Sequence, residues 1–104
     1  MNARNAVAVL CILASPASGD QWTAQKCSLY QNAFRDAVGM LGDEGLREVF
    51  LHQNEVFITS GCTEQGYVCA KTPQEIKLAD LLTVMTMNEG MASTFVPFGC
   101  KSAP

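Results

Sequence analysis

The chain has 104 residues, seven Lys and Arg against ten Asp and Glu, and a formal net charge of −3. Nucleic acid and anionic membrane surfaces select for basic patches, so this balance argues against either as a partner. The length fits one domain with a modest core, a size that commonly relies on disulfides.

The first residues, MNARNAVAVLCILASPASG, place Arg4 before an apolar run from Ala6 to Ala14, followed by small residues and a proline. Ala17 and Gly19 stand three residues and one residue before Asp20, so the pattern predicts a secretory signal peptide over 1–19. Nine apolar residues are too few to span a membrane, which takes about 20 in a helix, and no later run is long and charge-free enough. The expectation is therefore an exported protein, periplasmic or secreted, with one mature domain over 20–104. Without Arg4 that domain carries six Lys and Arg against ten Asp and Glu, a net charge of −4.

Between Gln21 and Leu41 the apolar positions Cys27, Tyr30, Phe34, Ala37, Val38 and Leu41 recur at three and four, the mark of one helical face. Gly42 is a natural stop, and Asp43 can cap a second helix starting at Glu44. Leu46, Val49, Phe50 and Phe57 continue that helix toward Thr59. The segment EVFITS, at 55–60, is rich in β-branched and aromatic residues and could instead be a short strand. Helix is preferred, because no second clear strand is available to pair with it. Thr72-Pro73-Gln74-Glu75 is a capping box with proline in the first turn, and it opens a third helix running to about Glu89. Pro97 then bars any regular continuation. The expected fold is all-α: a small three-helix domain with a short C-terminal return segment, stapled by two disulfides.

Cys11 leaves with the signal, so Cys27, Cys62, Cys69 and Cys100 remain, an even number in a small exported chain. An antiparallel hairpin turning at Gly42 brings Cys27 near Cys62. Ten extended residues after the third helix can return Cys100 to its start beside Cys69. Cys27–Cys62 with Cys69–Cys100 is the preferred pairing. Cys62–Cys69 with Cys27–Cys100 is sterically open as well. Six residues separate Cys62 from Cys69, which is not the two-residue spacing of a thioredoxin-like redox pair.

Nothing in the chain marks a catalytic site. His52 is the only histidine and lies ten residues from Cys62, so neither a zinc site nor a nucleophile–base pair is indicated. Phosphate-binding glycine loops and serine elbows are missing too. No cofactor and no metal are expected. Met87 and Met91, at helical spacing in VMTMNEGM, are soft thioethers of the kind that bind Cu(I), although methionine packing under the return segment explains them more simply. The terminal TFVPFG sets Phe95, Val96 and Phe98 about Pro97, so an extended chain cannot bury them all. Exposed apolar surface marks partner sites, which makes Phe95, Phe98 and Trp22 the expected contacts with a protein partner.

A signal peptide, helices stapled by two disulfides and an aromatic-proline ending that closes on Cys100 together form a layout. It resembles that of small periplasmic immunity proteins that neutralise secreted cell-wall amidases. The likeness is one of layout and transfers no residue roles. The expected function is that of a small exported, non-catalytic protein that binds another protein, of inhibitor, immunity or envelope accessory type. The alternatives are a periplasmic stress chaperone, opened by protonation of its carboxylates, and a methionine-based copper carrier.

Overall fold

The computed structural model describes residues 18–64 and 67–100. Apart from Ser18 and Gly19, the expected signal segment lies outside them. Three helices follow one another: α1 (Ser18–Leu41), α2 (Glu48–Thr59) and α3 (Pro73–Asn88), and a single 3-10 turn, Ser93–Phe95, begins the return segment. At 24 residues α1 is roughly 36 Å long, about twice the length of the 12-residue α2. It packs along α3. None of these helices is long and apolar enough to cross a membrane.

The segment at 55–60 is helical to Thr59, as preferred from the sequence. Both α2 and α3 end in the same motif. After α2, the N–H of Gly61 donates to Ile58 C=O (3.0 Å) and that of Cys62 to Phe57 C=O (2.9 Å). After α3, the N–H of Gly90 donates to Met87 C=O and that of Met91 to Thr86 C=O, both at 3.0 Å. These are the two bonds of a Schellman cap, and they need a residue with positive φ directly after the helix; Gly90 supplies it at 96°. The motif turns the following side chain inward. Cys62 and Met91 are accordingly both buried in the core.

Two expectations need correction. The second helix does not start at Glu44 under an Asp43 cap; it starts at Glu48, after a turn closed by Leu46 N–H to Asp43 C=O (3.2 Å). Gly45 sits in that turn with φ of 85°, which a helix cannot accommodate, and a Cβ there would meet the side chain of Gln74 at 2.6 Å. Nor do Met87 and Met91 share a helical face, because α3 stops at Asn88. Met87 is 49% exposed while Met91, past the helix end, is 4% exposed.

The core joins all three helices to the return segment. Tyr30 of α1, Phe57 of α2 and Phe95 of the 3-10 turn form a ring cluster, with centroids 5.0, 6.2 and 5.9 Å apart in edge-on arrangements. Phe98 stacks on Phe50 at 6.3 Å. Leu78 and Leu82 complete the packing from α3. The cysteines pair as Cys27–Cys62 and Cys69–Cys100, with Cα atoms 5.3 and 4.6 Å apart. Beside the second disulfide the return segment makes one parallel bridge: Val68 N–H donates to Pro97 C=O and Gly99 N–H to Val68 C=O.

Candidate functional site

The polar chemistry of the molecule is concentrated where α2 and α3 begin. Thr72 and Glu75 form the capping box that the sequence announces: Thr72 Oγ1 accepts from Glu75 N–H (3.0 Å), and the Glu75 carboxylate accepts from Thr72 N–H (3.2 Å). The same carboxylate also takes the Lys71 N–H (2.8 Å), the Arg47 N–H (2.7 Å) and, through both oxygens, the Arg47 guanidinium at 2.8–3.0 Å. Burial of the Glu75 side chain would raise its pKa. The bonds from Arg47, Lys71 and Thr72 outweigh that effect and hold it at about 2. Arg47 Nη2 reaches on to the C=O of Cys69 (2.8 Å), and Thr72 Oγ1 donates to Gly45 C=O (2.7 Å). Every one of these groups is turned toward another part of the chain. This constellation locks the turn before α2 to the start of α3.

Sequence reading found Glu75 as a cap but missed its partner. Arg47 lies 28 residues away, and only the fold brings the two together. A second polar pair is equally inward: the Tyr30 hydroxyl donates to Asn54 Oδ1, and burial pushes the phenol above its ordinary range.

The expected contact residues separate. Phe95, at 7% exposure, belongs to the aromatic cluster, so its truncation would open a cavity in the core. Phe98 is half-buried on Phe50 and on the Val68 bridge. Only Trp22 remains outside, 39% exposed on the first turns of α1, with the Lys26 ammonium 5.9 Å from its ring centroid and 5.2 Å from that of Phe95. His52 is exposed on α2. Among the described residues no group of three or more His, Cys, Asp or Glu side chains could hold a metal ion.

What the sequence did not announce is a groove of about 480 Å³ between α1 and α2. Its floor is apolar: Phe34 and Val38, one turn apart on α1, face Leu51 and Ile58 on α2. All four are half-buried and lean on the core from its edge. Asn54, held by Tyr30, closes the bottom. Arg35 and Gln31 stand on the α1 rim; Asp43, Glu55 and Thr59 stand on the opposite one. A second, more open depression adjoins it along α2, sharing Leu51 and Glu55 and adding Glu48, Val49 and His52.

No family model, characterised protein or solved structure matches this chain, so the reading of the site rests on its own geometry.

Proposed function

We propose that this is a small exported, non-catalytic protein that acts by binding another protein, as an inhibitor, an immunity protein or an envelope accessory factor does. The observation that carries the reading is the groove between α1 and α2: a concave apolar floor rimmed by polar side chains, on a small domain held by two disulfides and a satisfied polar lock. Apolar surface of this kind, ringed by polar residues, is characteristic of recognition sites. Trp22, exposed on the overhanging start of α1, adds an aromatic anchor of the type enriched in protein interfaces. Export is supported by the signal-like segment over 1–19 and by the two disulfides, which form and persist in oxidising compartments.

The alternatives find less support. Met87 lies on the surface of α3 and Met91 in the core, so a thioether pair on one helical face does not exist. Acid opening would have to act against Glu75, whose pKa of about 2 keeps the lock ionised after ordinary carboxylates have been protonated.

The test is native mass spectrometry of the protein recovered, with whatever accompanies it, from an exporting host. The expected species is a chain beginning at Asp20, lighter by four hydrogens, in fixed ratio with a second protein. A bare oxidised monomer in every preparation, at concentrations that preserve micromolar complexes, would overturn the binding reading.

A further inference from the structure

We propose that the groove between α1 and α2 docks a basic, amphipathic helical segment of the partner protein, with the apolar face of that helix on the groove floor and its Lys or Arg side chains on the carboxylates of α2. The inference rests on the protein-binding reading and names the chemistry of the partner. The floor supplied by Phe34, Val38, Leu51 and Ile58 is a trough between two helices, a shape that receives the ridge of a third. The carboxylates lining it are Asp43 at the mouth and Glu55 on α2, with Glu48 in the adjoining depression. All three are exposed, and the one salt bridge among the described residues joins Arg47 to Glu75 elsewhere. Against them stands a single cation, Arg35, whose guanidinium is hydrogen-bonded to Asn32 on its own helix.

The surface is therefore negative and unpaired where it borders the apolar floor. A cationic partner would be steered to it and held there in register. Glu48 and Glu55 are seven residues, two helical turns, apart, or about 10 Å along α2. A docking helix with basic residues at the same seven-residue interval would meet both, while its own apolar positions at three and four would meet the floor.

The test uses the oxidised mature protein, isotope-labelled for amide NMR. It is titrated with a Leu/Lys amphipathic helix of about five turns and with a Leu/Glu helix of the same pattern. Two double variants carry the same change in net charge: Asp43→Lys with Glu55→Lys at the groove, and Asp80→Lys on the exposed side of α3 with Glu89→Lys just past its end. The expected result is saturable one-to-one binding of the Lys peptide alone, with shifts centred on Phe34, Val38, Leu51 and Ile58. The affinity should fall about tenfold or more in the groove variant and much less in the α3 variant.

Equal losses in the two variants would reduce the effect to overall charge and overturn the assignment. Shifts centred elsewhere, or no binding of the Lys peptide, would do the same. A wild-type protein that self-associates with its groove amides protected would give the surface to a second copy instead. The two failures are distinguishable. A native partner that binds the groove variant as well as wild type removes the docking site and leaves the protein-binding reading standing. The absence of a partner in every exporting host removes the protein-binding reading and the docking site with it.

Discussion

The start of α2 and its middle are built by opposite rules. At the start, Arg47 and Glu75 match charge to charge, and the two carboxylate oxygens are saturated by donors from four groups of the chain. Glu55, two turns into the helix, stands in solvent without an ion-pair partner, as does its first residue, Glu48. The difference follows from burial. A carboxylate removed from water is tolerated only when its charge and lone pairs are satisfied, whereas an exposed one costs little unpaired and stays available to another molecule. The first region gives the domain its shape; the second gives it a surface.

That contrast can be broken or sharpened by experiment. The largest loss is expected at the covalent end of the locked region. Replacing Cys69 and Cys100 together by serine removes a cross-link spanning 31 residues, and should cost roughly 4 kcal/mol in the chain-entropy view, read from chemical denaturation. A change below about 1 kcal/mol would mean that the Val68 bridge and the packing of Phe95 and Phe98 already fix the return segment.

Next comes Glu75→Ala, which strands five donor atoms from these four groups around an empty site and should cost about 3 kcal/mol or more by the same measurement. Acid should expose the same group. Its pKa is lowered from 4.5 to about 2, so its stabilisation is complete above about pH 4.5 and is lost as pH falls through about 2. Over that window the wild type should lose about 3 kcal/mol that Glu75→Gln does not. Parallel stability–pH curves for the two proteins would show that the carboxylate charge is not what the lock uses. The smallest effect belongs to the groove. Asp43→Lys with Glu55→Lys should change stability by no more than about 0.5 kcal/mol, however strongly it alters binding. A loss comparable to that of Glu75→Ala would place these carboxylates in the fold and end the contrast.

How much of this could be read from the chain depends on the range over which each feature is encoded. The start of α3 was legible to the residue, because Thr72, Pro73 and Glu75 act on one another within a single turn. The cystine pairing was legible as a preference, since helix lengths fix which ends meet, and the structure selects it. The start of α2 was misplaced because Asp43 and Glu44 have good helix-start chemistry, and only the close approach of Gln74 shows why Gly45 must turn there. The partnership of Arg47 with Glu75 was invisible, as nothing local couples them. The groove was equally hidden: Phe34 and Val38 read as ordinary core positions, Leu51 and Ile58 were not singled out, and periodicity does not say how far apart two helices lie. Phe95 illustrates the converse: the chain about Pro97 cannot bury every apolar residue when extended, and the 3-10 turn resolves this by putting Phe95 in the core.

The two disulfides have one more consequence, which is topological. They close rings over residues 27–62 and 69–100, one after the other and neither inside the other, joined by the six residues 63–68. The first ring carries most of α1 and all of α2; the second carries α3 and the return segment. Everything else that unites them is non-covalent: Arg47 on Glu75, Thr72 on Gly45, the Cys69 N–H on Gln53, Phe98 on Phe50 and Phe95 on Tyr30 and Phe57. A single proteolytic cut within 63–68 would therefore turn the one chain into two disulfide-closed halves held together non-covalently, separable under denaturant and able to find each other again when it is removed. Failure of the halves to reassociate would show that the six-residue tether, and not the contacts across the rings, is what keeps the domain whole.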